Sequence, residues 1–172
     1  NVKVDTVEAQ GNVVLTAGQA IGGRAVPRYA RVESLGGNVT MTAQGGNVTG
    51  NLTRAENNVQ LTASNGLDLT DSFATNGTLT ATAQAGSIML GTANSQALMT
   101  LTGQTGITAN SLTTDAATGT ILAKAVTGDV TVTTTDAALG EVNLTATAGN
   151  VKVDTVEAQG NVVLTAGQAI GG

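Results

Sequence analysis

A five-residue pattern, apolar–x–apolar–x–small, recurs along this chain about every 20 residues. Eight copies are present, and their first residues are Val13, Val39, Val59, Leu79, Met99, Ile121, Val142 and Val162. A period near 20 residues indicates a solenoid, a propeller or another repeat array. Because each copy alternates apolar and polar residues with a period of two, it predicts a β-strand with one buried face.

A second apolar segment follows each copy after eight or nine residues, usually behind a turn signal such as Gly45-Gly46-Asn47. These segments begin at Ile21, Val48, Leu67, Ile88, Ile107, Val130 and Val151. A third and weaker apolar position follows at Val7, Leu52, Phe73, Leu112 and Val156. Three short strands and three turns in about 20 residues describe one coil of a parallel β-helix, whereas a propeller blade needs about 40 residues and four strands.

We therefore predict an all-β chain that forms a single parallel β-solenoid over residues 1–172. It should have about eight coils of 20–22 residues, with three short strands in each coil. The abundance of Val and Thr supports strands rather than helices. Tyr29 and Phe73 are the only aromatic residues, so the interior must be built from thin layers of aliphatic side chains.

The alignment of the repeats also predicts several ladders of like residues. The first residues of the eight copies should form a continuous apolar stack inside the coils, and a Thr register should face outward. Asn residues before four of these anchors should form a partial amide stack: Asn12, Asn38, Asn58 and Asn161. Glycines two residues before six anchors are expected in turns that need a positive φ: Gly11, Gly37, Gly77, Gly119, Gly140 and Gly160.

The two ends of the chain have the same sequence, since residues 1–23 recur letter for letter as residues 150–172. Neither end carries the polar cap that a solenoid needs to be soluble alone. The sequence thus predicts an interior segment of a longer fibre. Because both ends should present unpaired strand edges, we also expect head-to-tail self-association of the isolated segment.

Composition argues against several classes of function. The formal net charge of −5 predicts no nucleic-acid partner, and no apolar run is long enough to insert into a membrane. The chain has no Cys and no His, so nucleophilic triads and the usual zinc sites are not available. The acidic pair Asp68 and Asp71 is interpreted as part of a solvated strand and turn. We therefore predict that the chain is not an enzyme and has no cofactor and no metal.

One segment interrupts the repeat, because the first interval between anchors is longer than the others by about six residues. The excess lies between Gly23 and Arg31 and holds three of the seven cations, the only Pro and one of the two aromatics. Insertions in solenoids usually lie in surface loops on the binding face. The residues Arg24, Arg28, Tyr29 and Arg31 are therefore a candidate contact for sulfated glycans, and the alternative is a tolerated insertion with scattered charge.

The motif Gly-Asn-Val-x-Leu-Thr-Ala, followed by a Gly and a second Val or Ile strand, resembles the haemagglutinin repeats of the filamentous haemagglutinin family. The resemblance extends from Gly11-Asn12-Val13 to Gly160-Asn161-Val162 and so covers nearly the whole chain. Members are very large bacterial adhesins exported by two-partner secretion. The resemblance implies a right-handed parallel β-helix shaft, a secreted or cell-surface location, and attachment to host-cell receptors, glycans or other bacteria.

Three functions compete at this point. The leading hypothesis is a structural shaft repeat of a secreted adhesin. The second is a ligand- or ice-binding solenoid that uses an outward Thr array, although Gln60, Leu122 and Lys124 interrupt that array. The third is a β-helix enzyme that cleaves acidic polysaccharides, which would need long loops that these coils lack. Thermal hysteresis would favour the second function, and cleavage of acidic polysaccharide would favour the third.

Overall fold

A computed structural model describes residues 1–23, 28–116 and 119–172. Within these ranges the chain has nineteen β-strands and no helix. The strands are β1 (Val2–Lys3), β2 (Thr6–Ala9), β3 (Val13–Ala17), β4 (Ile21–Gly22), β5 (Tyr29–Ser34), β6 (Val39–Ala43), β7 (Val48–Ala55), β8 (Val59–Ala63), β9 (Leu67–Ala74), β10 (Leu79–Ala83), β11 (Ser87–Ser95), β12 (Met99–Gly103), β13 (Gly106–Thr114), β14 (Ile121–Ala125), β15 (Val130–Ala137), β16 (Val142–Ala146), β17 (Val151–Ala158), β18 (Val162–Ala166) and β19 (Ile170–Gly171).

The strands form two parallel sheets in stacked coils, so the predicted all-β solenoid of about eight coils is confirmed. One sheet contains the eight predicted anchor strands in the order β3-β6-β8-β10-β12-β14-β16-β18. Its register is unbroken: Val39 pairs with Val59, and Leu79 pairs with Met99. At about 4.8 Å for each parallel strand, the eight strands extend over roughly 34 Å.

The second sheet contains eleven strands, and its long members are bent. In β7, Val48 and Gly50 occupy inward positions, the next two residues face outward, and Thr53 again faces inward. The predicted second and third strands of each coil are therefore consecutive parts of one strand of eight or nine residues. A bend thus stands where we predicted a turn between the two strands. Because two successive residues face outward at the bend, the inward and outward positions after it are shifted by one residue.

This shift corrects two residues that we expected to face inward. Leu52 and Phe73 lie on the outer surface and are half-buried, while Thr53 and Ser72 occupy the inward positions of the same segments. The other predicted position that lies away from the chain ends, Leu112, is fully buried as expected.

The core is the predicted apolar stack, together with a parallel stack from the second sheet. Seven of the eight anchors, from Val13 to Val142, are buried. The eighth, Val162, is 45% exposed because no further coil covers it. Val13 at the other end of the sheet is only 5% exposed, so the burial of an anchor depends mainly on the coil that follows it.

Part of the predicted amide stack is present. Asn38 Oδ1 accepts hydrogen bonds from Asn58 N at 3.0 Å and from Asn58 Nδ2 at 3.1 Å. Asn12 Oδ1 accepts the equivalent bonds from Asn38, at 2.8 and 3.3 Å. The ladder continues into Thr78, whose backbone N donates to Asn58 Oδ1 at 2.9 Å. Asn161 instead donates to Glu141 Oε1 at 2.9 Å.

A carboxylate performs the same role at the start of another strand. Asp129 Oδ1 accepts from the backbone N of Asn150 at 2.8 Å, and Lys152 Nζ donates to the other carboxylate oxygen at 3.1 Å. These bonds, first that from the Asn150 backbone, hold the pKa of Asp129 below its usual value.

The predicted reason for the glycines before the anchors is wrong. Among the described residues only Gly106 has a positive φ, and its 158° is nearly extended backbone. Four of the six, Gly37, Gly77, Gly140 and Gly160, are instead required by the close approach of the preceding coil, whereas a Cβ on Gly11 would meet nothing within 4 Å. A Cβ on Gly37 would lie 2.8 Å from the backbone N of Asn12, and one on Gly160 would lie 2.7 Å from the carbonyl oxygen of Gly140.

Candidate functional site

The insertion lies between β4 and β5, two strands of the second sheet that both pair with β7. Residues 24–27 of the insertion, which include Arg24, lie outside the described residues. The chain re-enters the sheet at Tyr29, which pairs with Gly50 of the next coil. Three of the four predicted glycan contacts can therefore be placed: Arg28, Tyr29 and Arg31.

Tyr29 does not lie on the surface, which corrects its assignment as a glycan contact. Its side chain is fully buried, and its hydroxyl forms a hydrogen bond with Thr53 Oγ1. The ring lies against Gly50, where any Cβ would overlap with it. Burial raises the pKa of the Tyr29 phenol well above its ordinary value, which the bond to Thr53 offsets only in part. The aromatic ring therefore has no free face on which a sugar could stack.

The guanidinium of Arg28 is engaged by the chain itself. Its Nη2 and Nη1 lie 2.5 and 3.0 Å from Asp68 Oδ1, and Nη1 also donates to the carbonyl oxygen of Asp68 at 3.1 Å. Since Asp68 belongs to β9, two coils beyond the insertion, this ion pair ties the returning chain to the outer face of the second sheet. The side chain remains 32% exposed.

Arg31 lies between two carboxylates of neighbouring coils. Its guanidinium pairs with Glu8 at 2.5 Å and with Glu33 at 3.1 Å. Glu33 also pairs with Arg54 at 3.7 Å, and among the described residues it is the one charged residue that is buried. The arginines compensate carboxylates that would otherwise oppose each other, since Glu8 and Glu33 are directly paired in register.

The sequence thus located three residues that adjoin the second sheet, but it did not show what they contact. Arg28 and Arg31 each have an intramolecular acidic partner, and only a part of each guanidinium is available to an external anion. Binding of sulfated glycans by these two arginines stays a prediction.

A groove on the outer face of the second sheet contains the other aromatic residue. Its volume is about 350 Å³, and its lining residues are Leu52, Arg54, Phe73, Thr75, Asn94 and Asp115. Asn94 Nδ2 donates to Asp115 Oδ2 at 3.1 Å, which fixes the amide beside the ring. Arg54 and Asn94 are the register neighbours of Phe73 on either side. A half-exposed ring flanked by a guanidinium, an amide and a carboxylate can stack on a sugar ring and bond its hydroxyl groups.

Sequence reasoning missed this groove because it placed Phe73 inside. Strict alternation from Leu67 and Leu69 places Phe73 on the inner face, whereas the bend in β9 moves it outside. The signal that could have shown this is the pair of small residues around it. Ser72 and Ala74 align with inward small residues of the neighbouring coils.

The outward Thr residues share one register, as predicted, since Thr80 pairs with Thr100 and Thr82 with Thr102. The array is broken within the same sheet, because Thr80 also pairs with Gln60, and Thr102 pairs with Lys124. The longest uninterrupted block therefore covers only the coils that contain β10 and β12.

No group of three or more His, Cys, Asp or Glu side chains that could hold a metal ion occurs in the described part of the chain. Within the same ranges, no helix has the length and apolarity needed to cross a membrane. Comparisons with protein-family models, with curated proteins and with solved structures find no match to this chain.

Proposed function

We propose that this chain is a shaft segment of a large secreted bacterial adhesin, in which stacked coils hold the binding regions of the whole protein away from the cell surface. The observation that carries the proposal is the continuous register of the first sheet from β3 to β18. Such a sheet lengthens by one strand for each coil and gives a straight, stiff rod. The resemblance of the repeated motif to haemagglutinin repeats supports the proposed role in adhesion and the proposed export to the cell surface.

The experiment tests location and mechanical role separately. Antibodies against this chain should label intact cells of the source organism along surface fibres, and the label should disappear after protease treatment of whole cells. Label found only after the cells are permeabilised would contradict the proposal.

The role of a spacer is tested by an in-frame deletion of residues 24–172 from the gene. This deletion joins Gly23 to whatever follows Gly172, so it preserves the local sequence at the junction because the two ends are identical. It should shorten the fibre by seven coils, roughly 34 Å, and leave adhesion to host cells largely intact. Complete loss of adhesion with normal surface export would show that the segment itself contains the receptor-binding site.

A second candidate function is saccharide binding in the groove around Phe73, and the half-buried ring beside Arg54, Asn94 and Asp115 favours it. Phe73→Ala should abolish binding on an array of neutral and sulfated oligosaccharides. Met89→Ala is the matched control, since Met89 is also an outward apolar residue of the second sheet and is 51% exposed. Equal binding by the two variants would exclude the groove.

A further inference from the structure

The two identical segments of the chain fold in the same way at opposite ends of the solenoid. Val2 N donates to Ala20 O at 2.8 Å, and the equivalent bond from Val151 N to Ala169 O is 3.0 Å. β3 corresponds residue for residue to β18, and β4 to β19, while the single strand β17 covers the equivalents of both β1 and β2. The anchor strand and the strand that follows it therefore form in the same way at both ends of the rod.

The two copies are covered on opposite faces. The first copy is covered by the coil that follows it, where Val13 N donates to Asn38 O at 2.8 Å and Ile21 N donates to Asn47 O at 2.9 Å. The second copy is covered by the coil that precedes it, and Val142 N donates to Asn161 O at 3.0 Å. One 23-residue sequence is thus seen with a partner on each of its faces.

Equivalent side chains of the two copies differ in their exposed fraction. Val13 is 5% exposed, whereas its equivalent Val162 is 45% exposed. Ile21 is fully buried, whereas its equivalent Ile170 is 53% exposed. The first copy therefore shows what covers these side chains, namely residues 28–48.

We propose that the uncovered face of residues 150–172 is a docking surface for residues 28–48 of a second copy of this chain, joined so that residue 24 of the second copy follows Gly172. Residues 24–172 then act as a repeat unit, and tandem copies form one continuous solenoid. The proposal rests on the coil geometry alone and holds whether or not the chain serves in an adhesin.

Charge favours this junction over a simple stack of one chain end on the other. In the proposed register, Arg31 of the second copy meets Glu157, just as Arg31 meets Glu8 at 2.5 Å in the first copy. A direct stack of residues 150–172 on residues 1–23 would place Glu157 opposite Glu8. It would also place Thr6 in the position that Arg31 occupies, so the two carboxylates would lack a bridging cation.

The test compares chemical access to one side chain in two chains. The natural sequence has no cysteine, so a single introduced thiol reports its own position. Val162→Cys is made in the 172-residue chain and in a tandem chain in which residues 24–172 of a second copy follow the first. A maleimide reagent should react with this thiol about tenfold or more slowly in the tandem chain, because the new coil covers it. Val13→Cys in the 172-residue chain sets the rate expected for the covered position.

A further variant controls for the reactivity of an exposed thiol. Val163→Cys, at an outward position, should react rapidly in both chains. A tandem chain in which Val162→Cys reacts as rapidly as in the single chain would overturn the proposal. A tandem chain that fails to fold, shown by rapid reaction at Val13→Cys as well, would also overturn it, because a matched face must extend the solenoid. The denaturation midpoint of the tandem chain should exceed that of the single chain, since each added interface contributes stability.

Discussion

Tyr29 and Gly50 are paired across two neighbouring coils, and the phenol ring occupies the space that a side chain on Gly50 would need. In the following coils the same inward ladder holds Leu69 and Leu90. The insertion therefore brings a large side chain into the core at the one coil where its neighbour has none. This pairing explains how the chain rejoins the sheet after the interruption without leaving a cavity.

Substitutions at Tyr29 and Gly50 should have strongly coupled effects on the free energy of unfolding. Gly50→Ala places a Cβ within the ring of Tyr29 and should lower the free energy of unfolding by about 1–3 kcal/mol. Tyr29→Ala leaves a cavity and should lower it by about 3–5 kcal/mol. The double variant Tyr29→Ala with Gly50→Ala should lose less stability than the sum of the two single losses, because the new Cβ then meets no ring. Urea denaturation of the four chains measures the coupling, and strictly additive losses would contradict direct contact.

The buried phenol should make the protein sensitive to alkali. In the unfolded chain Tyr29 loses its proton above pH about 10, whereas the raised pKa keeps it protonated in the folded chain. The folded state then holds one more proton than the unfolded state, so stability should fall by about 1.4 kcal/mol for each pH unit above about 10. Below pH 10 both states are protonated and this contribution is fully present.

This effect can be observed directly, because Tyr29 is the only tyrosine. Tyrosinate absorbance should appear only together with the loss of the β-sheet circular dichroism signal. Tyr29→Phe, which removes the titrating group, should show a flatter dependence of stability on pH between 9 and 11. Ionisation of Tyr29 near pH 10 with an intact circular dichroism spectrum would mean that the ring is exposed.

The sequence predicted the repeat period and the inward anchors because both are local. Each anchor strand alternates in isolation, and the eight copies agree with one another, so Leu79 and Met99 could be assigned to one stack without knowledge of other contacts. The predictions that failed concern positions that are determined by contacts with neighbouring coils. Phe73 was placed inside because nothing in β9 alone shows the bend. Tyr29 was placed outside because the space that receives it belongs to Gly50, in the next coil.

The amide ladder should contribute measurable stability. Asn38→Ala removes the acceptor of two bonds from Asn58 and the donor of one bond to Asn12, and should cost about 1–2 kcal/mol. Asn38→Asp keeps the acceptor for the Asn58 backbone, a role that Asp129 fills for Asn150, and should cost less at neutral pH. Asn51→Ala, at an exposed position outside the ladder, is the control and should change stability by less than about 0.5 kcal/mol. Equal losses for Asn38→Ala and Asn51→Ala would show that the hydrogen bonds of the ladder add no stability beyond that of hydrogen bonds to water.

The last prediction concerns a hydroxyl group that has no partner among the described residues. Ser72 is fully buried, and its Oγ forms no hydrogen bond there. Its register neighbour in the following coil is Ala93, so the interior already accepts a methyl group at this position. Ser72→Ala should therefore leave stability unchanged or raise it by up to about 1 kcal/mol, because the cost of burying an unsatisfied hydroxyl disappears.

The matched control for this substitution is a buried serine whose hydroxyl is bonded. Ser34 Oγ donates to Gly11 O at 2.7 Å and accepts from Gly37 N at 2.9 Å, so Ser34→Ala should lower stability by about 1–3 kcal/mol. Urea denaturation of both variants gives opposite signs if the two hydroxyl groups differ as the structure indicates. A loss of more than about 1 kcal/mol in Ser72→Ala would mean that its hydroxyl has a partner, such as a water molecule held between coils.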